Sequence, residues 1–191
     1  MSAGHDYDIV TNIFSKFPDV FLDEKPNDNT EYIRIIGLDK QTRKEKWIKR
    51  EFVISHENLE KWKIILPKAN GSGAIGEVLS TPLVGQPLVG QPLVGHTQTF
   101  ISIGKFETEK EVSAAFKYIK SKFARTMLGV LKITQDNKKG VWKYVPLQDF
   151  TDQSDIDWSV SIPNIDKQLY KKYGLSQEEI DFIETHVKEM E

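Results

Sequence analysis

The chain of 191 residues contains no cysteine, which excludes disulfide bonds, thiolate metal sites and a cysteine nucleophile. It has no apolar run near the roughly 18 residues that a membrane-spanning helix needs. Its first residues, MSAGHDYDIV, have neither the basic start nor the apolar stretch of a secretory signal. We therefore expect a cytoplasmic protein without a membrane partner.

The charged residues are distributed unevenly, although the composition is otherwise that of a globular protein with 39% apolar and 10% aromatic residues. Residues 1–30 include 2 basic and 6 acidic side chains, residues 31–147 include 20 and 11, and residues 148–191 include 4 and 11. A cationic middle segment suits a polyanion, because each lysine or arginine that neutralises a phosphate releases condensed counterion. The alternative is that the acidic ends fold back onto the middle.

Short apolar runs predict strands, and one long periodic segment predicts a helix. The strands are expected at 32–36, 45–48, 51–54, 63–66, 75–79, 99–103 and 141–145, with a turn within 37–42. Thr108 and Glu111 form a capping box that starts an amphipathic helix over 108–131. Two more helices are expected, at 163–173 and from Ser176 onward. The predicted class is α+β, with mostly antiparallel short strands, one long packed helix and two C-terminal helices.

Residues 81–100, TPLVGQPLVGQPLVGHTQTF, repeat Pro-Leu-Val-Gly three times at a five-residue spacing. Slippage in the gene would add or remove one unit without shifting the reading frame, and a surface loop tolerates such changes in length. The repeat therefore predicts a loop over 81–96 within a domain of residues 1–147, followed by an acidic connector and helical pair over 148–191. Such a loop could act as a spacer that positions residues 96–98, or it could be a neutral expansion.

The glycines of GSGAIG, residues 71–76, match the spacing of a dinucleotide-binding loop. The context differs, because Pro82 and the repeat leave no room for the helix that should follow. No acidic residue between Glu77 and Glu107 is available for a ribose hydroxyl. The motif therefore predicts a tight turn, or a loop whose backbone approaches a phosphate from Lys68 onward.

Metal-dependent chemistry has only weak candidates. A shortened version of a metal-nuclease motif is formed by Asp19, Asp23 and Lys25. A small nuclease that uses these residues therefore stays an alternative function. Asp152, Asp155 and Asp157 lack the glycine and closing glutamate of a calcium loop. The four histidines, His5, His56, His96 and His186, do not have metal-ligand spacing. We predict no catalytic residue and no metal site.

Several longer strings, among them LPKANGSGAIGEVLSTP, GHTQTFISIGKFETEKE, WKYVPLQDFT and QLYKKYGLSQEEIDFIETHVKEM, resemble one protein family. They are similar to the C-terminal portion of bacterial type II restriction-modification enzymes that combine an adenine-specific DNA methyltransferase with an endonuclease. The resemblance covers residues 32 to 191. It implies a target recognition domain that reads double-stranded DNA. Nothing in the chain resembles the Asn-Pro-Pro-Tyr motif of the methyltransferase, so we expect a fragment without enzymatic activity.

The resemblance also implies no cofactor for this fragment, with S-adenosylmethionine and Mg²⁺ used only by the parent enzyme. The residues expected to contact phosphates are Lys44, Lys46, Arg50, Lys68, Lys120, Lys122 and Arg125. Those expected to contact bases are Asn70, Ser72, His96, Gln98, Gln135 and Asn137. Basic residues interleaved with Trp47 and Ile48 predict a basic strip on one face of a strand, or a solvated hairpin tip. The alternative function is an interaction module that docks onto the catalytic part of the same polypeptide.

Overall fold

The computed structural model describes residues 9–71, 73–81 and 84–190, and it has an α+β fold, which confirms the predicted class. The chain forms two compact units. The strand unit takes in residues 9–68 and 81–107, and the helical unit takes in residues 69–80 and 108–190. The boundary predicted at residue 147 therefore lies inside the helical unit.

The first sheet of the strand unit is built on a tight hairpin. Strand β1, Tyr32–Asp39, pairs antiparallel with β2, Thr42–Lys49, and the two connecting residues, Lys40 and Gln41, have positive φ angles of 47° and 66°. The predicted turn is thus narrower than expected. Gly37 belongs to β1, where a Cβ atom would lie 2.7 Å from the Phe14 ring. Its role is close packing against the short helix α1, Ile13–Lys16.

The second sheet of this unit is antiparallel. Strand β3, Trp62–Pro67, lies between β4, Leu88–Gly90, and β6, Phe100–Phe106. A further strand, β5, Val94–His96, joins the first sheet parallel to β1. The predicted strand at 51–54 is instead a 3₁₀ turn, Arg50–Phe52, followed by irregular chain. One apolar cluster of the unit comprises Phe14, Phe21, Ile33, Ile35, Ile48 and Leu59. The other comprises Ile36, Ile65, Val84, Val94 and Phe100.

The repeat does not form the predicted loop. Its second copy supplies β4, which pairs with β3, and its third copy supplies β5, which pairs with β1. Val84 and Val94, from the first and third copies, are buried in the core. Leucine and valine favour a pleated, half-buried surface, and the burial available to them explains why this segment is ordered into strands.

The helical unit contains four helices among its described residues. They are α2, Glu109–Lys120, α3, Lys122–Gly129, α4, Ile162–Tyr173, and α5, Gln177–His186. Helices α2 and α3 contact α4, and α3 also contacts α5, which is why residues 108–147 group with the C-terminal segment. The capping boxes at Thr108 and Ser176 both form, and Gly174 ends α4 in the left-handed conformation. None of the described helices combines the length and apolar character needed to cross a bilayer.

The predicted single helix over 108–131 is broken at Ser121. Ser121 has an extended conformation, and its side chain accepts a hydrogen bond from the backbone N–H of Ala124. The buried Asp166 carboxylate accepts from the N–H groups of Lys122 and Phe123 at 3.1 and 2.9 Å. These acceptors satisfy the first backbone N–H donors of a new helix, so α3 begins after Ser121 with an N-terminal cap of its own.

Arg125, on α3, is the largest of the fully buried side chains in the described part of the helical unit. Its guanidinium donates to the carbonyl oxygens of Gly76 at 2.8 Å and Lys120 at 3.0 Å, and also to that of Lys188. The carbonyls around Gly76 therefore bind Arg125, and the predicted strand at 75–79 is irregular chain. The predicted strand at 141–145 is replaced by a 3₁₀ turn, Lys139–Trp142.

Candidate nucleic-acid interface

The strand unit contains a cleft of about 730 Å³, bounded by parts of β1, β3, β5, β6 and segment 53–59. Its polar lining consists of Ser55, His56, Asn58, Lys63, Lys68, His96, Gln98 and Ser102. None of the residues that line it is an aspartate or glutamate. Three of the predicted DNA contacts, Lys68, His96 and Gln98, are brought together here.

The string from His96 to Thr99 divides into cleft residues and support residues. Thr97 is buried, its N–H donates to the Ile36 carbonyl at 2.9 Å, and its hydroxyl bonds that of Thr99 at 3.2 Å. The N–H of Gln98 donates to the Ile9 carbonyl at 2.8 Å. Nδ1 of His96 lies 2.9 Å from the Thr97 carbonyl oxygen. The two threonines therefore fix the backbone from which His96 and Gln98 line the cleft.

Lys63 supplies a buried positive charge to the cleft. Its ammonium donates to the carbonyl oxygens of Asn58, Leu59 and Lys61 at 2.7, 3.1 and 2.9 Å. Burial lowers the pKa of Lys63 to about 8, and the nearby Glu60 carboxylate opposes this shift. The side chain is thus still protonated at neutral pH, and it adds a positive field to a lining that lacks carboxylates.

Two of the predicted phosphate contacts are exposed and carry no carboxylate partner among the described residues. Lys68 follows β3, and its backbone N–H donates to the Thr99 carbonyl at 3.0 Å. The backbone of Lys68 is therefore fixed beside the cleft. Lys44 lies on β2 opposite Gly37. Both remain candidates for phosphate binding.

The other predicted phosphate contacts are already engaged. Lys46 is buried, with its ammonium 2.9 Å from Asp23 and 3.8 Å from Asp39, so its assignment as a phosphate contact is wrong. Arg125 is also wrong, because it is buried and bonded to backbone carbonyls. Of the partly exposed ones, Lys122 lies 2.5 Å from Glu184, Arg50 donates to the Val53 carbonyl at 2.7 Å, and Lys120 lies over the Phe116 ring.

Strand alternation explains why the predicted one-sided basic strip is wrong. Lys44, Lys46 and Ile48 share one face of β2, whereas Arg43, Trp47 and Lys49 share the other. The first face packs on the core cluster that contains Ile48. Lys46, next to Ile48 in that row, is drawn inward and needs a carboxylate, which Asp23 and Asp39 provide. Lys44, nearer the turn, stays exposed.

The charge separation along the sequence is absent from the folded units. Within the described residues, the strand unit contains 13 basic and 11 acidic side chains, and the helical unit contains 13 and 14. Within the units, acidic residues of the chain ends pair with middle lysines, as in Lys46 with Asp23 and Lys110 with Asp152. The alternative that the acidic ends fold back onto the cationic middle is thus the correct one.

The helical unit joins the glycine segment to the segment 130–139 through buried amides. The N–H of Asn70 donates to the Gln135 carbonyl at 2.8 Å, and its side-chain amide donates to the Val78 carbonyl at 2.9 Å. The side-chain amide of Asn137 donates to Oδ1 of Asn70. Asn70 and Asn137 are buried, so their assignment as base contacts is wrong. Gln135 is exposed, and Ser72 lies outside the described residues.

Replacing Asn70 by alanine should lower the free energy of unfolding by about 2 kcal/mol, because it leaves the Val78 carbonyl and the Asn137 amide without these partners. Urea unfolding followed by tryptophan fluorescence measures the change. Gln135→Ala is the matched control, since that side chain is exposed, and it should change stability by less than about 0.5 kcal/mol. Equal effects of the two substitutions would contradict the structural role of Asn70.

Carboxylates suggested for metal binding instead form ion pairs or accept hydrogen bonds within the protein. Asp23 pairs with Lys46, Asp155 pairs with Lys172 at 2.6 Å, and Asp157 accepts from the N–H of Ser159. In the part of the chain that the structure describes, no three histidine, aspartate or glutamate residues are grouped to hold a metal ion.

Sequence reasoning missed the second wall of the cleft. Nδ1 of His56 lies 3.0 Å from Oδ1 of Asn58, and the Asn58 amide donates to the Ser102 hydroxyl at 2.8 Å. The signal was the string Ser55-His56-Glu57-Asn58, which begins five residues after the last residue of the basic run and resembles the donor-rich string at 96–99. Comparisons with protein-family models, with curated proteins and with solved structures found no match to this chain.

Proposed function

We propose that this chain recognises double-stranded DNA through the cleft of the strand unit. The observation that supports the proposal is the cleft's lining, which contains two lysines and several neutral hydrogen-bonding side chains but no carboxylate. The described part of the unit has 11 acidic side chains against 13 basic ones, so a cleft without carboxylates is a local exception. A polyanion would experience an attractive potential there.

The two kinds of side chain would have different roles. Lys68, and Lys44 on the hairpin, would bind phosphates and set the position of the duplex. Gln98, His96 and Asn58 would bind base edges, since an amide can bond both N6 and N7 of adenine. Because most of the predicted phosphate contacts are engaged within the protein, we expect affinity with a shallow dependence on salt and a sizeable contribution from base contacts.

The parent protein would be a restriction-modification enzyme with an adenine-specific DNA methyltransferase, as the sequence resemblance implies. This chain would then be its target recognition domain, with no activity of its own. S-adenosylmethionine and Mg²⁺ would bind the methyltransferase and nuclease portions of the same polypeptide.

The test is a fluorescence-anisotropy titration of the 191-residue chain. A labelled duplex pool of mixed sequence is titrated at about 50 and about 200 mM salt. Lys68→Ala should weaken binding to all sequences and reduce the salt slope by about 0.9, the value for one lost phosphate contact. Gln98→Ala should instead relax sequence preference, with a loss of about tenfold on the preferred duplex.

Lys110→Ala is the control for a lost positive charge, because Lys110 pairs with Asp152 in the helical unit. It should bind DNA like the wild type. If the wild-type chain binds no duplex at the lower salt, the DNA proposal is wrong.

A second candidate, a module that docks onto the catalytic portion of the same polypeptide, is favoured by the nearly equal charges of both units and by the exposed Leu147. Binding of that portion without DNA binding would support it.

A further inference from the structure

The helical unit presents one apolar side chain almost completely to solvent on segment 130–139. Ile133 is 81% exposed, and it lies between the buried Lys132 and the exposed Thr134 and Gln135. A β-branched apolar residue in that position stabilises neither the segment nor the core. A single exposed apolar side chain is common on protein surfaces, so what Ile133 does depends on the residues that hold and surround it.

The segment that carries Ile133 is held on both sides. The Lys132 ammonium donates to the Asn70 carbonyl at 2.8 Å and lies 3.5 Å from Glu77, while Asn137 bonds the Asn70 side chain. Residues 69 and 136 form an isolated β-bridge. Ile133 thus projects from backbone that is fixed from each end of the segment, as a preorganised contact requires.

Gly73 shows how closely the two segments pack. It has a φ of +96°, and a Cβ atom at this position would overlap the backbone of Ile133 and Thr134. Only glycine allows this approach. Gly73 therefore supports Ile133 from behind, a role that neither a simple turn nor a phosphate loop provides.

The surroundings of Ile133 favour DNA as its partner. Residues 130–143 contain four lysines and one acidic residue. Among the residues that the structure describes, Lys139 and Lys143 make no ion pair. Thr134 and Gln135 next to the isoleucine can bond base edges. Proteins that kink DNA insert an isolated apolar side chain between stacked bases while neighbouring polar and basic residues bind the groove and backbone.

We propose that Ile133 is a wedge that inserts at a base step and unstacks it when this chain binds DNA. This inference rests on the proposed function and adds a contact made by the helical unit. The glycine segment and the buried asparagines hold the wedge, and Gln135 and Thr134 bond the edges of the opened step.

The experiment uses the full 191-residue chain and a duplex selected by that chain from a randomised pool. Permanganate oxidises unstacked thymines, so it reports the opened step in the bound duplex. Wild-type protein should make thymines at one position reactive. Ile133→Ala should abolish that reactivity and weaken binding about tenfold, whereas Ile133→Leu should retain most of both. Thermal unfolding should be the same for all three proteins because the side chain is exposed.

The outcomes separate the two proposals. Duplex binding that is unchanged in Ile133→Ala, with or without permanganate reactivity, overturns the wedge and leaves the cleft proposal standing. If that variant instead loses binding to the methyltransferase portion of the parent enzyme, Ile133 belongs to a protein interface, which also overturns the wedge. Failure of the wild type to select any duplex overturns both.

Discussion

Replacing Arg125 by methionine should lower the free energy of unfolding by about 3 to 5 kcal/mol, because three backbone carbonyl oxygens would lose a buried charged donor. The guanidinium is 2% exposed and bonds the carbonyl oxygens of Gly76, Lys120 and Lys188. Methionine fills much of the volume, so the loss reports the unpaired carbonyls and not a cavity. Urea unfolding at neutral pH measures the difference.

Lys110→Met is the matched control for this substitution. Lys110 is exposed, and so is its partner Asp152, so the change should be below about 1 kcal/mol. Hydrogen exchange would locate the Arg125 effect, with amides near Gly76 and Lys188 losing protection before those of α4. A loss below about 1 kcal/mol for Arg125→Met would show that water or a local rearrangement replaces the guanidinium.

The stability difference between the wild type and Asp166→Asn should increase by up to about 3 kcal/mol in favour of the wild type as the pH falls from 7 to 4. Asp166 is buried, and burial raises its pKa from 3.8 to about 6, with the two backbone N–H bonds opposing the shift. A folded-state pKa above the unfolded value means that the folded protein binds the proton more tightly. Protonation between pH 6 and 4 therefore stabilises the fold.

Comparison with the asparagine variant isolates this one group. Hydrogen bonds from Thr151 and Ser159 lower the pKa values of Asp149 and Asp157, which contribute stability that is lost at acid pH in both proteins. Their effects cancel in the difference. Urea unfolding of both proteins at several pH values gives the result, and a difference that does not vary with pH would contradict the raised pKa of Asp166.

Local sequence signals predicted the elements whose ends depend on neighbouring residues. The capping boxes at Thr108 and Ser176, the glycine after α4 and strands β1 and β3 all lie close to where the residues indicated. The break at Ser121 was not predicted, because it depends on Asp166, which lies 45 residues away in sequence. An apolar period continues through such a break unchanged.

The candidate site could be predicted only in part, because residue type does not fix burial. Three of the predicted contacts line the cleft, namely Lys68, His96 and Gln98. Four others of similar residue type are buried: Lys46, Arg125, Asn70 and Asn137. What draws them inward is a distant partner in each case: Asp23 for Lys46, the Gly76 carbonyl for Arg125, and Asn137 for Asn70. No spacing rule connects such pairs before the fold is known.

The three copies of Pro-Leu-Val-Gly have the same letters but different neighbours: the second copy borders β3 and the third borders β1. A gene with one copy fewer would leave one of these two strands without one of its two neighbours, and a gene with one copy more would offer an additional identical peptide for each position. Copy number would then decide which copy pairs with β3 and which pairs with β1. The positions of the residues that follow would change abruptly and not gradually. A change in repeat number would therefore alter strand pairing, and would not only alter the length of a spacer.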